Sequence, residues 1–132
     1  MKQDINIPQV TNIQLALVLE FNDDFRTYDW NAYLINKKEK TIEMVLIITY
    51  GFDTKNLTAK LRHSIAKLPA NSVAKFEFLE NKVLKLNNSF KVSFFMDNQL
   101  FEKDFLVKMN TISEDKAKPL DLFNGSKGFI IN

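Results

Sequence analysis

The chain of 132 residues is long enough for one domain with its own core, and its 45% hydrophobic and 26% charged residues exclude intrinsic disorder. It has no cysteine, which excludes disulfides and thiolate metal sites, and its net charge of +2 is too small to indicate a nucleic-acid partner. No apolar run approaches the roughly 20 residues that cross a bilayer and no export signal is visible, so we expect a cytoplasmic protein without a membrane segment.

A polar lead-in, residues 1–11, precedes the first predicted strand, Asn12–Phe21. Apolar and more polar side chains alternate along this strand, with Ile13, Leu15, Leu17, Leu19 and Phe21 in one set and Gln14, Ala16, Val18 and Glu20 in the other. Since successive residues of a strand point to opposite faces, this period of two predicts a half-buried strand.

The next two segments, Trp30–Asn36 and Thr41–Tyr50, have the composition of strands and are separated by a short polar loop. A connection of this length predicts a β-hairpin. Gly51 is expected to end the second strand. In that strand we predict that Met44, Leu46 and Ile48 face the core.

The segment Leu57–Leu68 fits two periods, since Leu57, Leu61, Ile65 and Leu68 fit a helix face while alternate residues fit a strand. Pro69 and the residues after it predict a turn. Ser72–Glu80 alternates again, with Ala74, Phe76 and Phe78 on one side and Lys75 and Glu77 on the other, solvated side. We favour two strands joined by this turn, because their neighbours are also strand-like; a short helix around residues 55–68 is the alternative.

The last clear unit is a hairpin of Phe90–Asp97 and Leu100–Met109. A two-residue turn at Asp97 and Asn98 would set Phe94 opposite Phe101 and Val92 opposite Lys103. That register predicts one apolar face, made of Phe90, Val92, Phe94, Met96, Phe101, Phe105, Val107 and Met109, with Lys103 as its only charged member.

Strands of this length and spacing predict a mostly β fold, an antiparallel β-sandwich with an immunoglobulin-like layout. Residues 12–110 would form the sandwich. Residues 111–132 would be a loop and a C-terminal segment that docks on it.

The most distinctive surface feature is the second face of the predicted Trp30–Tyr50 hairpin, where polar residues would be expected in a sheet with one wet face. Its apolar members, Tyr33, Ile35, Val45 and Ile47, are our candidate interface. Such a patch indicates cover by the C-terminal segment, by a protein partner or by a second copy.

Chemistry-bearing residues are sparse. Tyr28, Tyr33 and His63 are candidates for lining a small-ligand pocket, and Lys60, Arg62, Lys67 and Lys75 are candidates for binding an anion or nucleic acid. His63 is the only histidine, and its simpler interpretation is a hydrogen-bonded residue at the edge of the core. The spacing of Asp23, Asp24 and Asp29 does not follow a calcium-binding loop, and no nucleotide-binding or hydrolase motif is present. We therefore predict no catalytic residue, no metal site and no cofactor.

Three segments, Trp30–Asn36, Leu61–His63 and Asn88–Phe94, resemble a family of small uncharacterised bacterial proteins. Some members carry names taken from large enzymes, such as phenylalanine–tRNA ligase alpha subunit or phosphoribosylpyrophosphate synthetase. The resemblance implies no site residues.

Three functions remain as hypotheses. The first is a non-catalytic interaction module, a homodimer or the partner of another protein. The second is a carrier of a small ligand, and the third is binding of an anion or nucleic acid. An enzyme ranks last, because the acid and base residues form no recognisable design.

Overall fold

Two antiparallel β-sheets pack face to face in the computed structural model, which describes residues 9–132. The first sheet contains β1 (Ile13–Asn22), β2 (Thr27–Asn36), β5 (Ser72–Leu79), β8 (Lys118–Pro119) and β9 (Lys127–Ile131), in the order β5-β2-β1-β9-β8. The second sheet contains β3 (Ile42–Phe52), β4 (Leu61–Leu68), β6 (Asn87–Met96) and β7 (Gln99–Val107), in the order β4-β3-β6-β7. The predicted β-sandwich is confirmed.

The alternating side chains of β1 explain the core between the sheets. Ile13, Leu15 and Leu17 are fully buried and belong to the same cluster as Phe90 and Phe94 of the second sheet. Each such side chain contributes roughly 1.5–3 kcal/mol when it leaves water, so the two inner faces hold the layers together.

The β6–β7 hairpin has the predicted register, with Phe94 opposite Phe101. Asp97 and Asn98 have φ values of 53° and 60°, as a two-residue hairpin turn with positive φ at both positions requires. Lys103 fits this apolar face because its Nζ donates a hydrogen bond to the carbonyl of Ile13 at 2.9 Å. Met109 follows the end of β7 and is exposed, so its predicted place on the buried face is wrong.

The ambiguous segment is a strand, β4, and the alternative of a helix around residues 55–68 is wrong. A short α-helix, α1, lies at Asn81–Leu84, between β5 and β6. The predicted turn after Pro69 is present, with Asn71 at a positive φ of 51°. It leads from the second sheet to the first, so β4 and β5 belong to different layers.

The predicted hairpin of Trp30–Asn36 with Thr41–Tyr50 is wrong. β2 pairs with β1 and β5, whereas β3 pairs with β4 and β6, so residues 37–41 cross from one sheet to the other. The cause is visible at Asn36, whose fully buried side-chain amide donates to the carbonyls of Lys40, Leu68 and Pro69. These bonds tie the crossover to the turn between β4 and β5.

The face of β3 that points inward is the opposite of the predicted one. Val45 and Ile47 are 1% and 0% exposed and lie in the core, whereas Met44 is 70% exposed. A β-bulge explains the change, since the pairing with β6 shifts register between Glu43 and Leu46 and Met44 has a φ of 49°. One extra residue reverses the alternation of inward and outward side chains. Since the residues on both faces of β3 are apolar, the sequence pattern does not reveal this reversal.

The C-terminal segment completes the first sheet. β9 pairs with β1, placing Gly128 beside Val18, and Leu120 and Phe123 cover the outward-facing side chains of Ala16, Val18 and Ile35. Among residues 9–132, no helix has the length and apolar character needed to cross a membrane.

Candidate interaction surface

The outer face of the second sheet carries an apolar stripe along its central strand β3. Because Val45, Ile47 and Thr49 are buried, the residues between them point outward: Leu46, Ile48 and Tyr50 are partly exposed. Neighbouring strands extend the stripe with Phe95, Leu100 and Leu106. We refer to Met44, Leu46, Ile48, Tyr50, Phe95, Leu100 and Leu106 as the β3 face.

Charged residues flank the β3 face with opposite signs at its two edges. Arg62 on the edge strand β4 is paired with Ile48, which is followed across the sheet by Lys91 and then by Asp104 on the other edge strand, β7. Glu102 lies two residues before Asp104, so the β7 edge is acidic where the β4 edge is basic. The face is therefore apolar along β3, with Arg62 on the β4 edge, acidic residues on the β7 edge, and Lys91 on β6 between β3 and the acidic edge.

The outer face of the first sheet is different, because the protein's own C-terminal segment covers it. Phe123 meets the ring of Tyr33 edge-on at 4.8 Å, and Ile35 is 1% exposed. The Tyr33 hydroxyl donates to Glu20 at 2.6 Å, and burial, together with this contact, raises the pKa of Tyr33 well above its usual value. Cover by the C-terminal segment is one of the alternatives that the sequence left open for this patch.

The predicted interface set is therefore wrong as a surface. Tyr33 and Ile35 lie under the C-terminal segment on one sheet, while Val45 and Ile47 lie in the core on the other. The residues of β3 that face outward are instead the alternate ones, Leu46, Ile48 and Tyr50.

The three predicted ligand residues do not converge on one pocket. Tyr28 is 68% exposed at the start of β2, where it packs edge-on against Phe21 at 5.2 Å, and Tyr33 lies on the outer side of the same strand. His63 is on the other sheet and contacts Glu77, with its Nε2 2.7 Å from Glu77 Oε1. This geometry agrees with the interpretation of His63 as a hydrogen-bonded residue at the edge of the core.

Glu77 is the polar residue that the sequence analysis missed. It was predicted to face water opposite Phe76 and Phe78, but its side chain is only 10% exposed, whereas Phe78 is 53% exposed. A bulge in β5, where the pairing with β2 shifts between Ala32 and Tyr33, turns Glu77 inward. Its Oε1 also accepts a hydrogen bond from the Thr49 hydroxyl at 2.6 Å, so one carboxylate links both sheets.

The four candidate anion-binding residues are divided between two surfaces. Lys75 points outward from the first sheet, whereas Arg62 and Lys67 belong to β4. Lys60 lies over the Tyr50 ring at 5.3 Å, and Lys67 is 3.7 Å from Glu43. These side chains do not converge on a single phosphate-sized site, and within residues 9–132 no group of three or more acidic or histidine side chains is arranged to hold a metal ion.

Comparison with protein-family models finds no match for this chain, and comparison with curated proteins finds none either.

Proposed function

We propose that this protein is a non-catalytic interaction module that self-associates through the β3 face. The observation that carries the proposal is the apolar stripe on the outside of the second sheet. An antiparallel sheet with one wet face normally presents polar residues there. Here the central strand presents Leu46, Ile48 and Tyr50 instead, and in the described part of the chain no element packs over them as the C-terminal segment does over the first sheet.

The arrangement of charges favours a second copy as the occupant. If two β3 faces meet around a twofold axis parallel to their strands, the β4 edge of one copy lies over the β7 edge of the other. Arg62 of each copy then faces Asp104 of the second copy, and Ile48 and Lys91, which lie between them in the same row, face each other across the interface. An axis perpendicular to the strands would oppose like charges, so the charge pattern selects one orientation.

The size of the face sets the expected strength. Four strands about 4.8 Å apart and about nine residues long present a face of roughly 600 Å² per copy. Two such faces bury about 1,200 Å² in total, at the lower end of the standard range for specific interfaces. We therefore expect a dimer with a dissociation constant in the micromolar range rather than an obligate one.

Analytical ultracentrifugation from micromolar to millimolar concentration tests the proposal. The protein should dimerise reversibly, and Ile48→Lys should weaken the dimer by at least about tenfold, because it buries an unpaired charge. Ile130→Lys is the matched control, since Ile130 is a partly exposed isoleucine on the first sheet; it should leave association unchanged. A strict monomer throughout, or equal effects of the two substitutions, would refute self-association through this face.

A charge exchange tests the orientation. Arg62→Asp and Asp104→Arg should each weaken the dimer, because each places like charges opposite one another at two symmetry-related positions. Combining them should restore association. A double variant as weak as the single ones contradicts the proposed axis.

We also propose that the sandwich has an immunoglobulin-like layout. The order β5-β2-β1 against β4-β3-β6-β7 supports it, since it corresponds to strands E-B-A against C′-C-F-G of such sandwiches. Trp30 lies on β2, which corresponds to strand B, whereas antibody domains carry their buried tryptophan on strand C. The resemblance to a small bacterial family and the cytoplasmic location remain predictions.

A further inference from the structure

A crevice of about 300 Å³ opens at one end of the sandwich, and of its lining residues Tyr50 alone also belongs to the β3 face. It lies where the end of β3, the loop before β4, the end of β5 and helix α1 meet. Its walls are mainly apolar, with Leu61, Leu79 and Val83 among them, and Thr49 and Glu77 supply polar groups.

The Glu77 carboxylate is unusual because it is nine-tenths buried and lines this apolar crevice. Oε1 accepts both of the side chain's hydrogen bonds, from Thr49 and His63. Oε2 accepts none from residues 9–132, and because no buried side-chain oxygen of these residues lacks a partner, Oε2 is accessible to solvent. His63 is also the one basic side chain of the described chain within 4 Å of the carboxylate. A carboxylate offers about four acceptor positions, so Oε2 can accept hydrogen bonds from a molecule in the crevice.

The rim of the crevice does not compensate this charge. The nearest lysine of the lining, Lys82, lies in an exposed ion pair with Glu80 at 3.5 Å. The rim is thus close to neutral, and the negative charge lies inside. An anion would be repelled by Glu77, and a divalent metal ion would lack the further carboxylate or imidazole ligands it needs.

We infer that this crevice is a binding site for a small organic cation, a primary ammonium group on a short aliphatic chain. The ammonium group donates hydrogen bonds to Glu77, and the chain lies against Leu61, Leu79 and Val83. A volume of about 300 Å³ is at the lower limit of small-molecule sites, so the ligand is a small molecule. Although Tyr50 also belongs to the β3 face, Glu77, Leu61, Leu79 and Val83 do not, so the inference does not rest on the proposed self-association.

Titration of the full chain with n-butylammonium chloride, followed by amide NMR, tests the inference. Saturable shifts should concentrate on the amides of Gly51, Thr58 and Leu79 around the crevice, with a dissociation constant on the order of 1 mM, as expected for so few atoms. n-Butanol, which has the same chain without the charge, should bind at least about tenfold more weakly, because a hydrogen bond to a charged group is stronger than one between neutral groups.

Two variants make the result specific. Glu77→Gln keeps the shape and can still accept from Thr49, and it should weaken butylammonium binding at least about tenfold. Glu39→Gln, at an exposed position outside the crevice lining, is the matched control and should leave binding unchanged. Ala59→Phe narrows the crevice from an exposed position without altering the carboxylate, so it tests the site even if Glu77→Gln does not fold. Absence of saturable shifts, equal binding of butanol, or full binding in Glu77→Gln or Ala59→Phe would overturn the inference.

Discussion

Replacing Phe94 by alanine should be far more damaging than replacing its neighbour Phe95. Phe94 is 0% exposed and stacks on Phe101 with ring centroids 5.3 Å apart, whereas Phe95 points to the outer side of β6 and is partly exposed. Truncation of a fully buried phenylalanine costs about 3–5 kcal/mol, because it removes apolar contacts and leaves a cavity. For Phe95→Ala we expect about 1 kcal/mol, since much of that side chain already contacts water.

Thermal and urea unfolding of the two variants, measured where the protein is monomeric, decides between the faces. A loss of 3–5 kcal/mol is a large share of the roughly 5–15 kcal/mol that stabilises a typical domain. It corresponds to a fall in Tm of about 10–20 °C for a chain of this size, against about 4 °C for Phe95→Ala. Equal losses, or a larger loss for Phe95→Ala, would mean that the hairpin faces are reversed and that Leu100 and Leu106 are core residues.

Three further predictions concern the covered first sheet and two titrating groups. Gly128→Ala should lower the free energy of unfolding by about 1–3 kcal/mol in urea denaturation, because a Cβ there would lie 2.3 Å from the carbonyl oxygen of Leu17; unchanged stability would show that β9 does not lie so close to β1. Tyr33→Phe should cost about 1 kcal/mol at neutral pH through loss of the bond to Glu20, and this difference should shrink above pH 10. Because the pKa of Tyr33 is raised in the folded protein, the tyrosine of the unfolded chain ionises first as the pH rises. The contribution of the Tyr33 hydroxyl to the free energy of unfolding is therefore present below pH 10.0 and is lost above it. A difference in stability between the two proteins that stays constant up to pH 12 would contradict this. Burial lowers the pKa of Lys103, so an NMR titration should show its side chain losing a proton below the usual 10.5. Because the unfolded chain then binds more protons than the folded one, the free energy of unfolding should rise as the pH passes from that lower value towards 10.5. Lys103→Met should abolish this rise.

The local pattern of the sequence was sufficient where neighbouring residues decide the structure. The β6–β7 hairpin is the clearest example, since its turn residues, Asp97 and Asn98, and the alternation of its strands all agree on one register. The alternation of β1 likewise identified Ile13, Leu15 and Leu17 as core residues, whereas Phe21 of the same set is exposed and Ala16 and Val18 of the other set are buried under the C-terminal segment. In both cases the turn or the pleat is set by residues close together in the chain.

Sequence alone could not identify the candidate surfaces, because they depend on partners distant in the chain. The crossover after β2 depends on Asn36, which bonds to carbonyls more than thirty residues away, at Leu68 and Pro69. The candidate surfaces depend on two bulges, at Met44 and near Phe76, each of which reverses a strand's alternation.

Composition and period-two patterning by themselves determined that this chain forms an antiparallel β-sandwich, because alternation is a property of each strand. Which strands share a sheet, whether Ile47 or Ile48 faces water, and the burial of Glu77 were decided only by the tertiary structure. Strands as apolar as β3 can bury either face, and the choice between the faces is made by packing against the opposite sheet.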